Sequence, residues 1–141
     1  MGSGFISNLY KKGYLSVTPK TFNPKATHPA RAVQAWQILI GAASNRQTLT
    51  YRGLGHLMYG KKAAGVLAQI LGHIAAWCTI RKLPELNSIV VGTGSGAPGH
   101  GIPLNAGVTT DAEREKVYAV NWYDLRPPTE AELLKAYRGT D

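Results

Sequence analysis

Apolar side chains recur every three or four positions in two long stretches of the chain, and this spacing predicts two amphipathic helices. The first would run from about Pro29, a residue that suits a first helical turn, to Ala43. The second would run from about Lys61 to Lys82 and stop before Pro84. Its apolar stripe consists of Leu67, Ile70, Leu71, Ile74, Trp77 and Cys78.

A shorter helix is predicted between these two. Thr50 has the side chain of an N-cap, and Gly60 is the residue type that commonly ends a helix. Leu54, Leu57 and Met58 would lie on one side of this helix. The resulting order is a helix, a short helix, a tight turn and a longer helix.

After Pro84 the pattern changes to shorter elements. NSIVV, residues 87–91, predicts a strand, and residues 92–103, with five glycines and two prolines, predict a long loop. A return strand that starts near Ile102 and Leu104 would complete a β-hairpin.

The last part of the chain contains two capping boxes, in which a threonine is followed three positions later by glutamate. Thr110 with Glu113 and Thr129 with Glu132 each predict the start of a short helix. Between them, the alternating aromatic stretch 117–125 predicts a strand packed against the core.

Together these elements predict one α+β domain. Its core, residues 28–108, would be winged helix-turn-helix-like, with three helices and a β-hairpin. Residues 1–27 would form a basic, aromatic N-terminal arm that Pro19 and Pro24 keep from forming a long element. Residues 109–141 would form a C-terminal helical extension.

Charge is divided unevenly along the chain. Residues 1–84 contain 11 Lys or Arg and no Asp or Glu, whereas residues 85–141 contain 5 basic and 8 acidic residues. The two parts therefore carry +11 and −3, which agrees with the net charge of +8. A long segment without carboxylates favours a polyanionic partner. We expect nucleic acid, DNA ahead of RNA, with a small anionic nucleotide as the alternative ligand.

Cys78 is the single cysteine, which fits a reducing compartment, and its apolar surroundings predict a packing role. No apolar run reaches the length of a membrane span, and the N-terminus lacks the features of a secretion signal. We expect a cytoplasmic protein without a membrane partner.

Two adjacent lysines, Lys61 and Lys62, lie at the predicted start of the long helix, where the helix dipole favours negative charge. An external phosphate would supply that charge. The expected nucleic-acid contacts therefore centre on this turn, with further contacts from the wing and from the arm. The full set of expected contacts is Lys61, Lys62, Arg52, Tyr51, Arg46, Lys11, Lys12, Ser95 and His100.

The middle of the chain, TYRGLGHLMYGKKAAGVLAQIL followed by LPELNSIVVGTGSGAPGHG, resembles the DNA-binding domain of alkylguanine-DNA alkyltransferases and alkyltransferase-like proteins. These families share a Thr-Tyr start, a Gly-Lys/Pro-x-Ala-Ala turn and a glycine-bearing wing. The resemblance implies a winged helix and a DNA-facing surface that includes Tyr51, Arg52, Lys61 and Lys62.

The sequence differs from these families at two sites that their alkyl-transfer activity requires. Pro84, Glu85, Leu86 and Asn87 stand where the family has Pro-Cys-His-Arg, so the alkyl-accepting cysteine is absent. Gly65 replaces the arginine that would hold the DNA helix open. Alkyl transfer is therefore not expected.

No other catalytic or cofactor pattern appears. The four histidines lack metal-ligand spacing, and the glycine-rich segment 92–103 lacks the Lys-Ser/Thr ending of a phosphate-binding Walker loop. We expect no metal and no cofactor, and a binding protein rather than an enzyme. The small basic chain would also suit a phage or mobile-element protein. The alternative function is thus a counter-defence factor that sequesters a nucleotide signal or blocks a host nucleic-acid-handling complex.

Replacing Lys61 and Lys62 together by glutamine should weaken binding to all nucleic-acid sequences to a similar degree. The slope of log K against log salt should flatten by about two units, because the variant loses two phosphate contacts and its binding therefore releases fewer counterions. Fluorescence anisotropy across a salt series measures this slope, and an unchanged slope would refute the assignment.

Overall fold

The structure is a computed structural model that describes residues 19–22, 26–61, 64–92 and 106–139. Several sequence-based expectations lie outside these ranges, namely the contacts of Lys11, Lys12, Lys62, Ser95 and His100 and the return strand near Ile102.

The described residues form five α-helices and a sheet of two very short strands. In chain order the elements are α1 (His28–Ser44), β1 (Leu49–Thr50), α2 (Tyr51–Tyr59), α3 (Ala64–Ile80), a 3-10 helix (Leu86–Ile89), β2 (Val90–Val91), α4 (Thr110–Ala119), a second 3-10 helix (Trp122–Asp124) and α5 (Glu130–Arg138). The α+β class is therefore confirmed, with helix predominating. None of the helices in the described ranges is long and apolar enough to cross a bilayer.

The two strands are parallel, a pairing that the sequence analysis did not predict. Leu49 pairs with Val90 and Thr50 with Val91, so β2 lies beside the strand that precedes α2. Parallel neighbours need a crossover connection, and α2 and α3 lie within that connection here. A winged-helix arrangement is thus not confirmed by the described elements.

The helix boundaries follow local signals closely in the first half of the chain. The Thr50 hydroxyl accepts a hydrogen bond from the Gly53 N–H (2.9 Å) at the start of α2. Gly60 then ends α2 in the left-handed conformation (φ 70°), which glycine adopts without a steric penalty. In α5 the capping box between Thr129 and Glu132 is complete.

Three predictions for the second half need correction. The strand predicted at residues 117–125 is instead the end of α4 followed by a 3-10 helix. Residues 86–89 are also a 3-10 helix, which leaves only Val90 and Val91 as strand. The cap of α4 is Thr109 rather than Thr110, since the Thr109 hydroxyl accepts from the Ala112 N–H (3.1 Å).

The fold-back at Trp122 explains the first of these corrections. Its indole N–H donates to the Val117 carbonyl (2.8 Å), and its ring meets Trp36 of α1 edge to face at 5.6 Å between centroids. Both rings are almost fully buried. The alternating apolar residues therefore do not form a strand. They belong to a tight turn whose Trp122 side chain packs in the core.

Helices α1, α3 and α5 enclose the main core. α5 runs antiparallel to α3, because Glu132 lies beside Arg81 whereas Tyr137 lies beside Gly72 and His73. The predicted C-terminal extension is therefore packed into the same core as residues 28–91. The N-terminal turns of α3 extend beyond the end of α5.

Adding a methyl group at two glycines of α3 should have opposite effects. A Cβ at Gly72 would lie 2.9 Å from Cε1 of Tyr137, whereas a Cβ at Gly65 would meet no atom within 4 Å. Gly65→Ala should stabilise the protein by about 0.5–1 kcal/mol through helix propensity. Gly72→Ala should lose that gain to overpacking, which typically costs about 1–3 kcal/mol.

Urea unfolding of both variants measures the difference. Tyr137→Ala combined with Gly72→Ala is the matched control, because it removes the ring that the new methyl group would meet. Equal stability changes at Gly65 and Gly72 would contradict the packing of α5 on α3.

Candidate nucleic-acid interface

The exposed side of α2 carries the basic residues nearest to the turn. Arg52 and His56 are exposed and one helical turn apart, so they lie on the same face of α2. Leu57 is 63% exposed, and Lys61 follows Gly60 in an exposed position. Residues 52–61 thus expose a guanidinium, an imidazole, an ammonium group and one apolar side chain.

The exposed residues in the first two turns of α3 are small or neutral. Gly65, Ala68 and Gln69 are exposed, and Val66 is 37% exposed. The helix turns beneath them are held by Leu67 and Ile70, which are fully buried. We call the exposed residues Arg52, His56, Lys61, Gly65, Ala68 and Gln69 the α2–α3 surface.

Tyr51 contributes to this region mainly through packing. It is the first residue of α2, is half-buried and contacts the core. Burial raises the pKa of its phenol, so the side chain is neutral at physiological pH. It supports the start of α2, and its contact with nucleic acid stays a prediction.

Arg46 lies outside the α2–α3 surface and is already paired. Its Nη2 donates to both oxygens of Glu115 (3.0 and 2.9 Å), and its guanidinium lies 5.0 Å from the centroid of the Tyr118 ring. This charge is therefore compensated by α4 in the free protein. A phosphate would have to compete with Glu115 for it.

Two other basic residues of the carboxylate-free part also have internal partners. Arg31 is buried, donates to the Met58 carbonyl (2.8 Å) and has the rings of Phe22 and Tyr59 at 4.2 Å each. Arg81 lies 3.7 Å from Glu132. By contrast, Arg52 and Lys61 form no ion pair within the described part of the chain.

Glu85 is the acid whose role the sequence did not suggest. It is only 3% exposed, and its Oε1 has no hydrogen-bond partner within the described ranges. Burial raises its pKa to about 8, against an opposing hydrogen bond from the Asn87 backbone and with a smaller contribution from Glu113. The side chain is thus mainly protonated at neutral pH and does not offset the positive charge. Its place between the apolar Leu83 and Leu86 was the signal for burial.

The buried thiol and imidazole nearby are structural as well. Burial raises the pKa of Cys78 to about 12, so the thiol is not a nucleophile at neutral pH. His73 is 2% exposed, its Nδ1 lies 2.7 Å from the Gln69 carbonyl, and Tyr137 stacks on it at 4.0 Å. Burial lowers the pKa of His73 and keeps the ring neutral. No group of three His, Cys, Asp or Glu that could hold a metal occurs among the described residues.

Comparisons of the chain with protein-family models, with curated proteins and with solved structures found no match. The resemblance to alkyltransferase DNA-binding domains therefore rests on the residues quoted for it alone.

Glu85 should make the stability of the protein fall as pH rises. Its folded-state pKa of about 8 exceeds the ordinary value of 4.5, so its contribution is fully present below pH 4.5 and is lost as pH rises towards 8. The loss should be of the order of 3–5 kcal/mol, because each pKa unit corresponds to about 1.4 kcal/mol.

Urea unfolding at pH 5.5, 7.0 and 8.5, values chosen to lie between and just above the two pKa values, measures this loss. Glu85→Gln should abolish most of the pH dependence, whereas Glu130→Gln, at an exposed position, should leave it intact. The lowered pKa of His73 makes stability rise with pH in the same range, so the difference between wild type and Glu85→Gln is the readout. A difference that does not change with pH would show that Glu85 is ionised in the folded protein.

Proposed function

We propose that this protein is a non-catalytic nucleic-acid-binding protein and that the α2–α3 surface is its main contact, with DNA as the preferred partner. The observation that carries the proposal is the exposure of Arg52 and Lys61 beside an uncharged helix start, in a part of the chain that contains no carboxylate.

The distribution of charge supports this proposal. Residues 28–80, which include α1, α2 and α3, contain no Asp or Glu. The described acids that form ion pairs belong to α4 and α5, where Glu115 and Glu132 lie beside Arg46 and Arg81. Arg52 and Lys61 of the α2–α3 surface are among the cations that no described carboxylate compensates. Such a surface attracts phosphates over about a Debye length.

The shape of the helix start supports it as well. Gly65 and Ala68 project little beyond the backbone, so a sugar-phosphate strand or a groove wall can approach α3 closely. Gln69 offers an amide that hydrogen-bonds to base edges or to phosphate. α5 covers the other end of α3 at Glu132 and leaves this end open.

Binding of labelled duplex DNA, single-stranded DNA and duplex RNA across a salt series tests the function directly. We expect submicromolar to micromolar binding at low salt that weakens steeply as salt rises, with duplex DNA bound most tightly. Absence of binding to all three at low salt would refute the proposal. Retention of a cyclic dinucleotide or ADP-ribose derivative without DNA would favour the sequestration alternative.

Placing a negative charge on the exposed start of α3 should weaken nucleic-acid binding more than the same change at the other end. Ala68→Glu should reduce affinity by about tenfold or more, because it sets a carboxylate against phosphate. Thr79→Glu introduces the same charge at an exposed position three turns along α3 and should change affinity less than about threefold.

Fluorescence anisotropy gives both affinities, and thermal unfolding checks that each variant is folded. Equal effects of the two substitutions would place the contact somewhere other than the α2–α3 surface.

A further inference from the structure

A second feature of the surface lies at the opposite end of α3. A cleft of about 210 Å³ opens between α1, the end of α3 and the segment after the second 3-10 helix. Its lining residues are Trp36, Trp77, Arg81, Leu83, Leu125 and Arg126. The proposed nucleic-acid contact does not use any of them.

The inner wall of this cleft is apolar and rigid. Trp36 and Trp77 are 1% and 7% exposed, so only small parts of their rings face the opening. Trp36 is held edge to face by Trp122, whose own N–H is bonded to the Val117 carbonyl. A preformed wall of this kind loses little conformational entropy when a ligand packs against it.

The rim of the cleft is cationic. The Arg81 guanidinium lies 4.2 Å from the centroid of the Trp77 ring, which holds it at the mouth. Its contact with Glu132 is 3.7 Å, longer than a hydrogen bond, and its side chain is 45% exposed. Arg126 is exposed and has no ion pair within the described part of the chain. Two guanidinium groups thus face a space otherwise walled by hydrocarbon.

These properties define the ligand chemistry. An apolar wall favours a flat ring, and guanidinium groups favour carboxylate or phosphate, to which they bond in a bidentate manner. The volume is below the roughly 300 Å³ of small drug-binding sites, so one ring system with one acidic group fits best. We propose that this cleft binds a small planar aromatic anion, with the ring against the apolar wall and the acidic group between Arg81 and Arg126.

This inference does not depend on the proposed function, because the cleft and the α2–α3 surface lie at opposite ends of α3. A chain that binds DNA normally but ignores aromatic anions would overturn only the present inference. The reverse result would overturn only the proposed function.

Titration of the full chain with adenosine monophosphate and with indole-3-carboxylate tests the cleft, with adenosine as the uncharged control. We expect the Trp77 indole signal in ¹H–¹⁵N spectra to shift and tryptophan emission to change. The Trp122 indole signal, whose N–H is already bonded, should move less. Adenosine should bind at least about tenfold more weakly than its monophosphate, because it lacks the charge-assisted hydrogen bonds.

Arg126→Gln should weaken binding of both anions by about tenfold, since it removes one of the two guanidinium groups. Lys82→Gln is the matched control, because it removes one charge next to Arg81 from a residue that does not line the cleft. It should change affinity less than about twofold. Equal affinity for adenosine and its monophosphate, an unchanged affinity in Arg126→Gln, or no Trp77 shift up to about 10 mM ligand would each overturn the inference.

Discussion

The packing of α5 along α3 is the constraint on which the other features depend. Tyr137 rests on Gly72, where any side chain would collide with its ring, and stacks on the buried His73. At the other end of the contact, Glu132 lies beside Arg81. This placement closes the core and leaves the first two turns of α3 exposed, whereas Arg81 lies at the cleft lined by Trp36 and Trp77. The α5–α3 contact thereby separates the α2–α3 surface from the cleft at the other end of α3.

The two C-terminal helices α4 and α5 determine which arginines of this strongly basic chain have an acidic neighbour. All of the acids lie after residue 84, and the C-terminal helices bring two of them to particular arginines of the first part. Glu115 bonds to Arg46 and Glu132 lies near Arg81, whereas Arg31 is satisfied by a carbonyl and two aromatic rings. Exposed pairs of this kind add little stability. Their consequence here is to confine the uncompensated charge to fewer positions.

The segment after α3 shows why the proposed function is binding rather than alkyl transfer. Glu85 stands at the position where the resemblance would require a reactive cysteine, and it is buried and mainly protonated at neutral pH. Cys78, the single thiol, is buried and keeps its proton. A buried acid without a full set of hydrogen bonds reduces stability. Glu85 is buried despite this cost, because the 3-10 helix that follows it, Leu86–Ile89, packs against α3 and α1.

Local signals determined much of the first half of this protein. Helical periodicity and the caps Thr50 and Gly60 predicted α1, α2 and α3 to within a few residues, because these signals act within one or two turns. The missing carboxylates likewise predicted a basic surface. Only the tertiary structure decided which arginines stay exposed, since Arg46 and Glu115 are 69 residues apart in the chain. It also decided that residues 117–125 turn back on Trp36 instead of forming a strand, and that β2 pairs with β1. Alternating apolar residues are common to a strand and to an anchored turn, and the partner that distinguishes them is distant in sequence.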